Sequence, residues 1–182
     1  YGRIFPMTGL YIQSPIINKK NNLNIIPSLS LIINGSQPSS DKVSNEESTN
    51  NLYSLLTIGE LNRFTGTDKL DNSKRVNYGV GLNKDRFKSS LSQSYEFDAN
   101  SNYNKEAGLK DYMSDLLGSL SYNGSKIGNI GHKFRFNVDV GMIKDQEFTY
   151  DKGSKFGTFN LKYFQERTGS FESGKETLDL NF

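Results

Sequence analysis

Cysteine is absent from these 182 residues, and histidine occurs once, at His132. The first absence excludes disulfides and thiolate metal sites within the segment. With a single histidine, neither a histidine-based zinc site nor a histidine-centred triad is expected. Long hydrophobic runs are missing too. No stretch approaches the roughly 18 to 20 apolar residues that a transmembrane helix requires. The greasiest segment, Leu29 to Ile33, is interrupted by Ser30. An excess of one charge sign is also lacking, with 22 basic residues against 20 acidic ones and a formal net charge of +2. Because these charges are spread along the chain, no nucleic-acid partner is expected. The chain opens Tyr1-Gly2-Arg3 without an initiator Met or an apolar leader, so any secretion signal is expected upstream, and Phe182 reads as a cut point.

Hydrophobic residues make up only 34% of the chain, while Gly 17, Tyr 10 and Phe 12 are generous. That is too little apolar material for a large core. It suffices for strands with one greasy and one wet face, which need only every second residue to be apolar.

The chain has such a period. Leu23, Ile25, Pro27, Leu29, Leu31 and Ile33 alternate with mostly Asn and Ser. Val76, Tyr78, Val80 and Leu82 repeat the pattern, as do Phe87, Leu91, Tyr95 and Phe97. Further strands are expected through Leu116 to Tyr122, through Phe134, Phe136, Val138, Val140 and Met142, around Phe148 and Tyr150, through Phe159 to Tyr163, and through Leu178 to Phe182. With an opening strand near residues 3–13 the expectation is about nine strands, several near the roughly 9 to 11 residues of a tilted membrane strand.

Links at 18–22, 83–85, 123–129 and 152–154 are rich in Asn, Asp, Gly and Lys, as tight turns are. Links at 35–73 and 98–111 are long and polar, 165–174 is of middle length, and a short link is expected at 143–146. Long links thus fall at one end of the sheet and mostly short ones at the other. Outer-membrane barrels distribute extracellular loops and periplasmic turns in this way. The expected fold is all-β: one segment, 1–182, of an antiparallel up-and-down transmembrane β-barrel, incomplete by itself. A soluble β-sandwich alternates as well. Mid-strand charges such as Lys88, Lys133, Arg135 and Asp139 favour a watery lumen, and aromatics near strand ends, at Tyr95, Phe97, Tyr122, Tyr150 and Tyr163, favour an interfacial girdle.

The link and strand reading Asn62-Arg63-Phe64-Thr65-Gly66-Thr67-Asp68-Lys69, then Arg75-Val76-Asn77-Tyr78-Gly79, resemble the N-R-F-S-G-x-D-R and R-x-x-Y-G segments of the lipopolysaccharide-assembly family LptD, also called OstA or organic solvent tolerance protein. Asn45-Glu46-Glu47-Ser48 is similar to that family's N-E-D-S loop, Gln93-Ser94-Tyr95 to its G-Q-S-Y strand, and Gly108-Leu109 with Asp111 and Ser114-Asp115 to its G-L-x-D-x-x-S-D run. Phe5-Pro6-Met7-Thr8-Gly9-Leu10 and Pro15 resemble the strand pair upstream. The matched blocks span residues 5 to about 120. The chain departs from the pattern at Thr65 (Ser in the family), Lys69 (Arg), Asp71 (Glu), Ser73 (Gly), Ser92 (Gly) and Glu96 (Arg), with extra residues between Tyr53 and Asn62.

The resemblance implies a middle-to-late arc of a large barrel in the outer membrane of a Gram-negative cell. Its partners would be lipopolysaccharide, outer-membrane lipid, a plug lipoprotein of the LptE type, and a periplasmic Lpt bridge reached through a missing N-terminal domain. The function it implies is transport, with lipopolysaccharide inserted into the outer leaflet and no cofactor. Alternatives are a porin- or receptor-type barrel, or a secreted β-sandwich binding module.

Candidate residues follow. Arg63, Asp68, Lys69, Asp71, Lys74 and Arg75 form a dense charge cluster in a long link. It reads either as a phosphate-pairing loop or as a solvated, self-paired one. Arg86, Lys88, Lys133, Arg135 and Lys162 read as a positive lumen wall or as ordinary polar lining, interrupted by Asp115 and Asp139. Asp41, Glu46 and Glu47 lack regular cation-ligand spacing. Glu166, Glu172 and Glu176 have no nucleophile or phosphate cradle beside them, so no enzyme is expected. His132 is expected on a strand near the membrane interface.

Overall fold

The computed structural model describes residues 5–35, 55, 57–64, 70–98, 108–110, 112–155, 157–167 and 174–181. Among them twelve β-strands share one sheet, and the helical content is a single 3-10 turn, Lys19–Asn21. The strands are β1 (Met7–Gln13), β2 (Ile16–Asn18), β3 (Leu23–Asn34), β4 (Lys74–Lys84), β5 (Phe87–Glu96), β6 (Leu109–Lys110), β7 (Met113–Ser114), β8 (Leu116–Gly124), β9 (Gly128–Asn137), β10 (Met142–Ser154), β11 (Gly157–Glu166) and β12 (Glu176–Asn181). Nine of them run in the order β1-β3-β4-β5-β8-β9-β10-β11-β12, with the short β2, β6 and β7 attached beside that path. Neighbours in space are neighbours in sequence, an up-and-down wall. β1 and β12 stand at the two ends of the order, so the sheet is not closed among the described residues.

Local chemistry explains the turns. Asn18 accepts from the backbone N–H of Lys20 at 3.1 Å, and Asn22 closes the turn with φ 48, a left-handed conformation that asparagine tolerates better than most residues. Pro15, which has no N–H to donate, separates β1 from β2. Ser14 N–H reaches Pro27 O across that break at 3.3 Å.

The strand expected to continue to Met142 instead ends at Asn137. Residues 138–141 form a turn, and 143–146 lie inside β10, so the short link sits several residues earlier than expected. Val138 and Val140 kept the alternation going through the turn. Asn137 overrides it by accepting from Val140 N–H through Oδ1 and from Gly141 N–H through its carbonyl, both at 2.9 Å, while Gly141 takes φ +72. The supposed short strand at Phe148 and Tyr150 is part of β10, the longest at 13 residues. It contains a β-bulge at Lys144, between the pairs Ile143↔Phe136 and Asp145↔Arg135. The turn expected at 152–154 lies after Ser154, since Gly153 and Ser154 still pair with Thr158 and Gly157. Arg86, expected in a strand, occupies the turn between β4 and β5.

Burial is inverted relative to a soluble protein. On β3, Leu29, Leu31 and Ile33 are 36–47% exposed, while Ser30 and Asn34 between and beside them are nearly inaccessible. On β4 and β5, Tyr78, Val80, Leu91 and Tyr95 are exposed, whereas Arg75, Asn77, Ser94 and Glu96 are buried. Among the described residues four hydrophobic ones are buried, Ile32, Phe64, Leu109 and Leu117, against thirteen polar or charged ones. Water punishes such an arrangement, since each exposed apolar square ångström forgoes about 25 cal/mol. Hydrocarbon rewards it. Among the described residues the apolar face is not covered by a second sheet, as a sandwich would require.

Contacts divide the chain into two compact units. The first comprises Tyr1–Gln13, Ser28–Tyr78 and Gln93–Asp115, and the second Ser14–Pro27, Gly79–Ser92 and Leu116–Phe182. The second is a run of hairpins in direct register, with Leu120↔His132, Phe148↔His132 and Phe148↔Tyr163 on one face and Ser119↔Lys133 and Glu147↔Lys133 on the other. The first carries most of the buried charges.

Candidate functional site

In the first unit the strands present polar side chains on their buried face, and residues 57–64 and 70–73 between β3 and β4 lie on them. Asn34 donates through Nδ2 to Leu61 O at 2.6 Å and to Asp71 O at 2.7 Å. Asn77 donates to Ile58 O and to Ser30 Oγ, both at 2.8 Å, and accepts from Ser94 Oγ at 2.7 Å. Arg75 Nη2 donates to Glu60 O. Carbonyls that a long link leaves without strand partners are thereby satisfied by side chains of β3 and β4. Asn62 Oδ1 accepts from the N–H groups of Phe64 at 3.4 Å and Asp71 at 3.1 Å, which ties the two ends of the 62–71 stretch together. Phe64 is buried against Leu109 of β6, a two-residue strand inside the stretch 98–111 that was expected to be a link.

At the centre stands a buried ion cluster. Arg63 Nε donates to Asp71 Oδ2 at 2.7 Å, and its Nη2 reaches Asp71 Oδ1 at 3.3 Å and Glu96 Oε1 at 2.6 Å. Arg75 Nη1 donates to Asp71 Oδ2 at 3.1 Å, and Ser73 Oγ donates to Glu96 Oε2 at 2.6 Å. All four charged side chains are at most 1% exposed. Among the described residues, two guanidiniums face two carboxylates. Desolvating an ion costs several kcal/mol, and only dense, well-directed bonding offsets it. Here both oxygens of each carboxylate accept at least one bond. Removing one member would strand the others without water.

This geometry corrects one expectation. Arg63, Asp71 and Arg75 are self-paired, as one reading had it, but they are buried instead of solvated, and their guanidiniums are directed at carboxylates and a carbonyl. Lys74 alone of the described members stays exposed, paired with Asp98 at 3.0 Å. Ser73 and Glu96, two of the departures from the family pattern, meet each other, and Glu96 supplies the negative charge that Arg63 needs. Gly66, Asp68 and Lys69 lie outside the described residues, as do Asp41, Glu46, Glu47, Asp111 and Glu172. Tyr78 is exposed on the apolar face, its hydroxyl donating to Gln93 Oε1 at 2.8 Å, and Gly79 follows it within β4.

In the second unit the cationic row is interleaved with acids. Glu147 lies between Lys162 at 2.8 Å and Lys133 at 3.5 Å, and Arg135, 5% exposed, pairs with Asp145. Lys88 is exposed opposite Ser121, and Arg86 donates from its turn to Ser125 Oγ at 3.4 Å. Asp139, placed by the alternation in a strand, sits in the 138–141 turn.

A ladder on the apolar face escaped sequence reasoning. His132 Nε2 lies 3.2 Å from Gln146 Oε1, Gln146 Nε2 donates to Gln165 Oε1 at 2.8 Å, and Gln165 Nε2 donates to Glu176 Oε1 at 2.8 Å. Polar groups on a face otherwise bearing Leu120, Phe148 and Leu178 thus satisfy one another. Their signal was visible as glutamines at positions where the alternation calls for apolar residues. Among the described residues no group of three His, Asp or Glu side chains is placed to hold a metal ion.

A family model described as LPS transport system D matches residues 9–178. No curated protein matches the chain.

Proposed function

The chain belongs to the LptD family, whose role is lipopolysaccharide transport and assembly at the Gram-negative outer membrane, and from that premise we propose that it is a stretch of translocon barrel wall that helps insert lipopolysaccharide into the outer leaflet. The carrying observation is the inverted sheet: exposed Leu, Ile, Phe and Tyr side chains on one face, and charged and amide groups on the other. The greasy face meets hydrocarbon and the polar face lines an aqueous path for the lipid's hydrophilic part. Long links sit on the outside of the cell and short turns in the periplasm.

In this reading the Arg63–Asp71–Arg75–Glu96 cluster is a structural clamp. It holds the 57–73 link onto the wall, so that the link narrows or shapes the path as a fixed part of it. A plug lipoprotein of the LptE type and a periplasmic Lpt bridge would act on other surfaces of the complete protein. The wall works by shape and surface chemistry, with no bond made or broken.

Photocrosslinkers at Lys88, Lys133 and Lys162 in the full-length protein test this directly. Lipopolysaccharide should be captured at these polar-face positions during transport, while crosslinkers at Leu29 and Leu178 should capture bulk phospholipid and lipid A acyl chains whether or not transport runs. Silence at all three lysine positions would remove this arc from the path.

A further inference from the structure

At the short-turn end of the second unit four connections follow one another across the sheet, at residues 18–22, 84–86, 124–128 and 151–155. They are bonded in series. Asn22 Nδ2 donates to Asp85 Oδ1 at 3.2 Å, Asn123 N–H to Arg86 O at 2.9 Å, Arg86 Nη1 to Ser125 Oγ at 3.4 Å, and the Tyr150 hydroxyl to Ile127 O at 2.8 Å. The result is one continuous rim. Lys19 and Lys20 stand in the first connection, Lys84 and Arg86 in the second, Lys126 in the third, and Lys152 and Lys155 in the fourth, all exposed, against only Asp85 and Asp151. Among the described residues none of these cations forms an ion pair. The opposite end of the same unit is balanced, with Arg135, Lys144, Arg167 and Lys175 in residues 135–145, 164–167 and 174–176 matched by Asp139, Asp145, Glu166 and Glu176. Positive charge is thus gathered at one end.

The rim also borders the apolar face. Phe87 and Tyr122 pair with each other just before the turns, Ile127 is 54% exposed within the third turn, and Lys152 lies opposite Phe159. We propose that this rim holds anionic phospholipids of the leaflet next to the short turns by their headgroup phosphates, a proposal that rests on the apolar face meeting hydrocarbon. An apolar band, then aromatic rings, then ammonium groups on flexible stems follows the order in which a phospholipid presents its acyl chains, its glycerol region and its phosphate. An acidic protein would need only the cations. The Phe, Tyr and Ile side chains beside them find a use when acyl chains lie beneath the phosphates. A zwitterionic headgroup brings its own cation, so a net-negative one gains more from each lysine, and salt weakens that gain.

The test places photocrosslinkers at Ile127 and, as a mid-face control, at Leu178 in the full-length protein, reconstituted in vesicles of equal parts phosphatidylcholine and phosphatidylglycerol. Capture at Ile127 should favour phosphatidylglycerol about fivefold or more, and capture at Leu178 should favour neither. Replacing Lys126, Lys152 and Lys155 together by Gln should bring the Ile127 ratio towards parity, while replacing them together by Arg should preserve it. These side chains are exposed, so the variants are expected to assemble, checked by heat-modifiable migration. In the unaltered protein, salt at about 1 M should lower the same ratio, which needs no variant. A ratio near parity at Ile127, or one indifferent to salt, overturns the rim, as does capture of an acidic periplasmic protein there in place of lipid when cells are irradiated. If Leu178 still captures lipid in that case, the rim alone falls. If neither position captures lipid, the membrane reading of the apolar face falls with it.

Discussion

The two units of this sheet handle charge in opposite ways. Among the described residues eleven of the thirteen buried polar ones belong to the first unit, and only Arg135 and Lys144 to the second. In the first, residues 57–64 and 70–73 cover the polar face, so arginines and carboxylates lose water and must replace it with one another. In the second, where connections are short, Lys133, Glu147 and Lys162 pair while remaining 63%, 24% and 52% exposed. The same strand chemistry thus yields an interlocked cluster in one place and a weakly coupled lining in the other. What differs is the length of chain available to fold back over the strands.

The sharpest break of this comparison is Asp71→Ala, which removes the buried carboxylate that both Arg63 and Arg75 bond. Loss of about 3–5 kcal/mol is expected from an uncompensated buried pair. It should appear as loss of the heat-modifiable, folded form of the full-length protein, and retention of that form would show the cluster to be dispensable. Next comes Leu29→Arg, in the middle of β3 on the exposed apolar face. At the bilayer midplane it should cost about 2–4 kcal/mol in a urea unfolding titration in liposomes, whereas a face bathed in water would accept it at no cost.

A smaller effect is expected from Gly118→Ala in the second unit. The added Cβ would come within 2.1 Å of the Phe134 ring, so the ring must turn away, at about 1–3 kcal/mol. The smallest belongs to Glu147→Gln. As the partner of two exposed lysines it should shift stability by no more than about 1 kcal/mol. Measured beside Asp71→Ala, an equal loss from both would erase the distinction between the units.

Much of this was legible beforehand. The exposed hydrophobic residues of β3, β4 and β5 are those that the alternation assigned to one face, because a strand's faces are set by a local period of two. Tight turns announced themselves through Asn, Asp and Gly, except where Val138 and Val140 continued the alternation across a turn that Asn137 and Gly141 impose. The link bearing Arg63, Asp71 and Arg75 stood out by charge density, but whether water or protein surrounds a charge depends on what folds over it. The polar ladder from His132 to Glu176 was harder to see, since each member comes from a different strand.

Alternation, turn chemistry and the family motif are properties of neighbouring residues, so sequence alone settled the antiparallel wall, its greasy and wet faces, and the family. Partnership between Arg63 and Glu96, 33 positions apart, or between Phe64 and Leu109 arises only when separate strands and links are brought together. Which charges are buried was therefore decided by tertiary structure, because desolvation depends on every atom nearby and on none of the sequence neighbours in particular.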